Sequence, residues 1–145
     1  MAIKYDTIDF KIKTLKLSWK ERECCVIYVN GKEILPIIKK KEQEIFAKNG
    51  LNPDGAGTYN YLTPHELYIY LSYADLMHGD TKVPILCCCC DEVGCASIRI
   101  RLARPGKVVI WKDFEGNNKK WNYGLKFNFD PKVYETFMNK LKTKI

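Results

Sequence analysis

Positions 98–112 read Ile-Arg-Ile-Arg-Leu-Ala-Arg-Pro-Gly-Lys-Val-Val-Ile-Trp-Lys. Apolar residues alternate with arginines at the start of this stretch, which is the two-residue period of a half-buried strand. Residues 104–107, with proline second and glycine third, are typical of a type II turn. The apolar residues after the turn predict an antiparallel return strand. The stretch therefore predicts a β-hairpin whose outward side chains include Arg99 and Arg101.

Outward from this hairpin, alternating or continuously apolar runs predict further strands at residues 8–13, 24–29, 32–38, 83–90 and 125–129. The second and third of these flank Asn30-Gly31, a strong hairpin signal because both turn positions adopt positive φ. Pro36 suggests that the strand over 32–38 is an edge or ends early. The run at 83–90 is apolar throughout, which predicts a strand buried on both faces.

Two or three helices are predicted. The clearest begins at Thr63-Pro64-His65-Glu66, which combines an N-cap hydroxyl, a proline in the first turn and a glutamate placed for a capping box. Its expected buried positions are Leu67, Tyr70, Leu71, Ala74 and Met77, and Gly79 is its expected stop. A short helix is expected over 39–48, with Ile38, Ile45 and Phe46 inward. A C-terminal helix follows Asp130-Pro131, with an apolar stripe of Val133, Tyr134, Phe137, Met138 and Leu141.

These elements predict an α+β fold. Hairpins dominate and strands do not alternate regularly with helices, so the expected architecture is one domain over residues 1–145, with a mainly antiparallel sheet and two or three helices. The chain has 145 residues, of which 46% are hydrophobic and 28% charged, a composition that excludes disorder and fibrous proteins. No apolar run approaches the roughly 20 residues of a membrane span. No signal-peptide pattern is present, so a cytosolic protein is expected.

The charge is positive and unevenly distributed. Lys and Arg number 24 against 17 Asp and Glu, a formal net charge of +7. Residues 51–95 carry one basic and six acidic side chains, whereas residues 96–145 carry 12 and four. In the basic part, aromatic residues lie among lysines: Trp111, Trp121, Tyr123 and Phe127 with Lys112, Lys119, Lys120 and Lys126. Such a pattern suits a nucleic-acid-binding module, with bases stacked on the rings, or core aromatics behind a solvated basic rim.

The seven cysteines allow two interpretations. Cys88, Cys90 and Cys95 have the spacing C-x-C-x4-C and supply three of the four ligands of a tetrahedral zinc site. The fourth ligand, from His78 or from Cys24-Cys25, would have to arrive through the fold. Free cysteine is also a good small core residue. We therefore expect these thiols to stay reduced and to pack in a central strand without metal or other cofactor.

No complete catalytic motif is present. The two histidines, His65 and His78, fall at opposite ends of one predicted helix, which disfavours a paired-histidine acid–base site. The glycines of residues 54–57 lack the lysine of a phosphate-binding loop. A non-enzymatic protein is expected.

Part of the sequence resembles a broad group of small uncharacterised bacterial proteins. Their core, a strand followed by C-x-C-G-E-x-G-C, is matched at Cys88, Cys90, Glu92, Gly94 and Cys95. Their W-x2-F, W-x-Y and F-x-F-x4-Y patterns are matched at Trp111, Phe114, Trp121, Tyr123, Phe127, Phe129 and Tyr134. The chain departs from the group at Asp91, Ala96 and Asn117-Asn118.

That group has no established activity, so the resemblance implies a type of protein more than a chemistry. Small cytosolic proteins of this sort look like immunity proteins, including those of contact-dependent growth inhibition systems. The resemblance thus implies a non-catalytic protein that binds a cognate toxin, and a charged surface would speed that association. The predicted contact residues are Arg99, Arg101, Lys112, Lys119, Lys120 and Trp121.

Overall fold

The computed structural model describes residues 4–17, 20–56, 58–88, 97–116 and 120–145. The strands in these ranges are β1 (Ile8–Leu17), β2 (Lys20–Val29), β3 (Lys32–Glu33), β4 (Tyr59–Tyr61), β5 (Val83–Cys88), β6 (Ile98–Ala103), β7 (Val109–Glu115) and β8 (Phe127–Phe129). The helices are α1 (Ile34–Lys48), α2 (Pro64–Leu76) and α3 (Pro131–Lys142), with a single 3-10 turn at Pro53–Gly55.

The strands form two antiparallel sheets, and the fold is α+β, as the sequence predicts. One sheet has three strands in the order β1-β2-β3, and the other has five in the order β4-β5-β6-β7-β8. The β6–β7 hairpin is confirmed, and Gly106 in its turn has φ +65°. The two sheets are also joined directly. Asp6, just before β1, bridges to Phe129 of β8, and the amide of Cys25 in β2 donates to the carbonyl of Leu62 after β4.

The strand predicted after the Asn30-Gly31 turn is wrong over most of its length. Asn30 and Gly31 adopt the expected positive φ, 53° and 77°. The return strand β3 then pairs only two residues, and residues 34–38 are helical instead of extended. Pro36 lies in the first turn of α1, where a missing N–H breaks no helical hydrogen bond. Ile34 and Ile38 are both fully buried, because one helical turn brings positions i and i+4 onto the same face.

The second helix follows its sequence signals closely. The Thr63 hydroxyl accepts from the amide of Glu66, and the Glu66 carboxylate accepts from the amide of Thr63, completing the capping box. Of the expected buried positions, Leu67, Leu71 and Ala74 are fully buried against the five-stranded sheet, whereas Tyr70 and Met77 are only partly buried. Beyond the helix end, Gly79 adopts φ +82°.

Strand β5 is buried on both faces over the part that the structure describes, and Cys89 and Cys90 of the predicted strand lie outside that part. The last strand begins at Phe127 and not at residue 125. In α3 the Asp130 carboxylate caps the amide of Lys132, at 2.8 Å. Val133 is 43% exposed and does not face inward, because it falls beside the stripe that buries Tyr134, Phe137 and Leu141.

Trp111 of β7 lies at the centre of the aromatic core. Its indole is fully buried and makes edge-to-face contacts with Phe129 and Tyr134, with ring centroids 5.5 and 6.3 Å apart. Its Nε1–H donates to the Tyr134 hydroxyl at 3.2 Å, so the one polar atom of the ring has a partner. These contacts fix α3 on the inner face of the sheet. Across the described ranges, no helix is both long enough and apolar enough to cross a membrane.

We expect Gly79→Ala to destabilise the protein more than Gly106→Ala. Both glycines have positive φ, so either substitution adds backbone strain of about 1 kcal/mol. A Cβ on Gly79 would also lie 2.8 Å from the carbonyl oxygen of Leu102, whereas a Cβ on Gly106 meets nothing within 4 Å. Urea unfolding of the two variants measures the difference in the free energy of unfolding. Equal losses would contradict the steric argument.

Candidate functional site

An irregularity in β7 organises the surface that carries the predicted contact residues. Arg101 of β6 lies opposite Lys112, but Arg99, two residues earlier, lies opposite Glu115, three residues later. Strand β7 therefore has one extra residue, a β-bulge, and Asp113 within it adopts φ +53°. Bulges redirect side chains and are frequent beside functional sites. Here the bulge leaves Lys112 and Glu115 both facing the outward arginines.

Arg101 is held from two sides. Its Nε lies 3.3 Å from the Asp113 carboxylate, and its Nη1 donates to the carbonyl oxygen of Gly79 at 2.6 Å. The first contact comes from the bulge and the second from the turn between α2 and β5. The guanidinium is therefore fixed in direction although its side chain is only partly buried.

Glu115 has a similar role for Arg99. Its carboxylate is largely buried and lies 3.4 Å from Arg99 Nε and 3.7 Å from Lys82 Nζ. Arg99 also donates through Nη1 to the Ser97 hydroxyl at 3.2 Å. One carboxylate thus positions two cations, Arg99 on β6 and Lys82 just before β5.

Lys112 stands directly opposite Arg101 in the register of β6 and β7. Like charges facing each other across a strand pair destabilise a sheet. The neighbouring Asp113 offsets part of this repulsion through its ion pair with Arg101. We call the outward group Lys82, Arg99, Arg101, Lys112, Asp113 and Glu115 the charged cluster.

Lys120 and Trp121 lie beside this cluster. Together with Lys82, Arg101, Asp113, Phe114, Glu115 and Asn122 they line a cleft of about 200 Å³. The Trp121 ring packs edge-on against Phe46 of α1, with centroids 4.9 Å apart. Of the predicted contact residues, Arg101, Lys120 and Trp121 meet at the cleft, while Arg99 and Lys112 adjoin it through Glu115 and Arg101. Lys119 lies outside the described residues.

Sequence reasoning missed Lys82, Asp113 and Glu115. A signal for the bulge was present: Lys112 and Asp113 are consecutive polar residues between Trp111 and Phe114, which are both buried. Two polar residues in a row break the two-residue period of a strand, and an extra residue restores it. The pairing of each carboxylate with a cation on another strand has no local signal.

The aromatic residues of the nucleic-acid interpretation are mostly inaccessible. Trp111 and Tyr123 are buried, whereas Trp121 and Phe127 are partly exposed. A ring must present a free face to stack on a base. The interleaved aromatic and basic pattern therefore does not form one stacking surface.

The described cysteines are Cys24, Cys25, Cys87 and Cys88, and all four are buried and free of disulfides. Burial, with the neighbouring Cys24, raises the pKa of the Cys25 thiol to about 12. Cys90 and Cys95 lie outside the described residues, so the C-x-C-x4-C hypothesis has no geometry to test it. Within the part of the chain that the structure describes, His, Cys, Asp and Glu form no group of three or more suited to a metal ion.

Helix α1 carries a buried carboxylate. Glu42 of α1 is 3% exposed, and its Oε2 accepts hydrogen bonds from the hydroxyls of Tyr59, at 2.8 Å, and Tyr123. Burial and the adjacent Glu42 carboxylate raise the pKa of both hydroxyls above the ordinary tyrosine value. No local pattern predicts this group, because Glu42 follows three lysines and resembles a solvated helix residue.

The outer face of α2 is unusually apolar. Ile69, Tyr73 and Leu76 are 48%, 46% and 72% exposed, and their spacing places them opposite the buried face of the helix. This second apolar stripe follows the helical spacing i, i+4 and i+7, as the buried stripe does, so the sequence pattern alone does not tell which of the two faces the core.

Comparisons of the chain with protein-family models, with curated proteins and with solved structures found no match.

We expect the free energy of unfolding to decrease as pH rises above the ordinary tyrosine pKa of 10.0. Burial raises the pKa of Tyr59, Tyr61, Tyr123 and Tyr134, so above that pH the folded protein keeps protons that the unfolded chain loses. Their stabilising contribution is complete below this pH and is lost above it.

Thermal unfolding across the alkaline range, with absorbance titration of the nine tyrosines, measures the effect. Tyr59→Phe should make the alkaline loss shallower, while Tyr5→Phe, at a partly exposed position, serves as the control. A folded protein in which every tyrosine titrates together near the ordinary value would contradict the expectation.

Proposed function

We propose that the protein is a non-catalytic binding protein of the cytosol, an immunity protein that neutralises a cognate bacterial toxin by direct binding. The resemblance to small bacterial proteins supports the class. The observation that carries the proposal is the bulge in β7, where Asp113 and Glu115 hold Arg101 and Arg99 in fixed directions on an exposed sheet face. Binding at this face would occlude the active site of the toxin.

Fixed arginines suit a protein interface. Ordering a long side chain on binding costs about 0.5–1.5 kcal/mol, and this cost falls when the side chain is already held in the free protein. Arg and Trp are also the residue types most enriched among those that dominate binding energy. Arg101 and Trp121 line the same cleft, which has room for a single side chain of a partner.

The charge of the face indicates the chemistry of the partner. The charged cluster and Lys120 hold five cations, Lys82, Arg99, Arg101, Lys112 and Lys120, and two carboxylates, Asp113 and Glu115. The excess of positive charge suits an acidic surface on the toxin. Complementary charge speeds association and rejects wrong partners.

Asp113 and Glu115 favour a protein over a nucleic acid as the binding partner. A phosphate backbone approaching Arg101 would meet the half-exposed Asp113, and like-charge contact opposes binding. A protein surface can place a donor against Asp113 and an acid against the cations. The nucleic-acid module remains the alternative that the experiments below separate.

Co-expression with the product of the neighbouring gene tests the proposal. We expect that product to arrest growth when produced alone, to be harmless with this chain, and to co-purify with it as a stable complex. If the neighbouring product is harmless alone and forms no complex, the proposal fails.

A charge reversal separates binding from stability. Lys112→Glu places a carboxylate opposite Arg101, so it replaces a cross-strand repulsion with an attraction. We expect it to leave the free energy of unfolding unchanged or slightly raised, yet to weaken the complex by about tenfold or more. Calorimetric titration with the co-purified partner, and urea unfolding of the free variant, measure the two effects.

Lys132→Glu is the matched control. It makes the same change of charge at an exposed position of α3, which packs on the opposite face of the five-stranded sheet. It should bind as tightly as the wild type. Equal weakening by both variants would indicate a response to net charge and not to this face.

Filter binding of single-stranded nucleic acid at low and moderate salt tests the alternative. We expect no binding at moderate salt. Affinity that falls steeply with salt, and that Lys112→Glu abolishes, would support a nucleic-acid module, because phosphate contacts release counterions.

A further inference from the structure

Helix α1 contacts the segment after β7 through two side chains that lie one turn apart. Glu42 accepts the hydrogen bond of the Tyr123 hydroxyl, and Phe46 packs edge-on against Trp121. Positions i and i+4 of a helix share a face, and here they meet Tyr123 and Trp121, which lie two residues apart in the loop before β8. The helix therefore contacts both rings from one face.

The hydrogen bond to Glu42 is a strong constraint because of where it lies. The carboxylate is almost fully buried, and a charged or polar group in such a site is costly unless hydrogen bonds satisfy it. Tyr59 of β4 and Tyr123 donate to the same oxygen, Oε2. Moving Tyr123 away would remove one of these donors from a buried acceptor.

Gly116 supplies the room for this arrangement. It follows β7 directly, and a Cβ built on it would collide with the Tyr123 hydroxyl and lie 3.5 Å from Glu42 Oε2. The end of the bulged strand and the buried carboxylate are therefore fitted around the same hydroxyl.

We propose that Glu42 and Phe46 are positioning residues for partner binding, because they fix Trp121 beside the charged cluster in the free protein. The inference rests on the proposed function, since it concerns the face that would meet the toxin. Neither residue needs to touch the partner. Their effect passes through Tyr123 and Trp121, which then present an indole already held in place.

The two tyrosines that share Glu42 provide a matched pair of variants. Tyr123→Phe and Tyr59→Phe each remove one hydroxyl donor from the same carboxylate oxygen. Only Tyr123 belongs to the segment that carries Trp121, whereas Tyr59 lies in β4. If Glu42 has only a structural role, the two variants will affect the Trp121 resonance and partner binding alike. If Glu42 positions Trp121, only Tyr123→Phe will change them clearly.

The first measurement uses no partner. Fluorotryptophan incorporated into the chain gives one ¹⁹F resonance for each of the three tryptophans, and Trp121→Phe assigns the resonance of interest. We expect Tyr123→Phe and Phe46→Leu to shift or broaden the Trp121 resonance, and Tyr59→Phe to leave it in place.

The second measurement is the affinity for the product of the neighbouring gene, purified by co-expression. We expect Tyr123→Phe to weaken binding roughly three- to tenfold, the effect of releasing one or two ordered side chains, and Tyr59→Phe to change it less than about twofold.

The outcomes separate this inference from the proposed function. An unmoved Trp121 resonance in Tyr123→Phe overturns the inference whatever the partner does. A moved resonance with unchanged affinity overturns it too, because Trp121 would then be held for another reason. If the wild type forms no complex, the proposed function fails, while the resonances still report whether α1 holds Trp121.

Discussion

Trp111 and Phe114 are both buried. In a regular strand, two residues three positions apart point to opposite faces of the sheet, so only one of them would face the core. The extra residue in β7 removes this conflict. It also sets Lys112 and Glu115 on the same outward face, each opposite an arginine of β6. The aromatic core behind β7 and the charged surface in front of it therefore depend on one local change of register. Asp113 adopts the left-handed conformation that the change requires, and its carboxylate pairs with Arg101.

Two carboxylates, Glu42 and Glu115, are largely withdrawn from water, and they stabilise different kinds of contact. Glu115 lies between two cations and directs them outward. Glu42 accepts from two tyrosine hydroxyls and holds a segment against α1. A buried polar group that loses its hydrogen-bond partner keeps the free-energy cost of desolvation without compensation. Such groups therefore tend to fix a single arrangement. Glu115 lines the cleft together with Lys120 and Trp121, whereas Glu42 contacts Tyr123, two residues after Trp121.

The surfaces of the protein differ in character. The outward face of β6 and β7 is charged and internally paired, whereas the outward face of α2 exposes Ile69, Tyr73 and Leu76. The charged face has fixed directions and specific partners within the fold, which are the properties that favour selective binding. The α2 face presents apolar area instead of paired charges.

The sequence by itself determined the elements whose signals are local. The two-residue period fixed β1 and β6, Asn30-Gly31 fixed the first turn, and the Thr63–Glu66 capping box fixed the start of α2, because each depends on neighbours in the chain. The apolar run after Gly31 was ambiguous, since Ile34 and Ile38 fit either period until packing selects the helix. The ion pairs of Arg99 and Arg101, the two hydroxyls on Glu42 and the contact of Phe46 with Trp121 join distant positions. Only the tertiary structure decided these, because a charge or a ring acquires its partner when separate elements pack together.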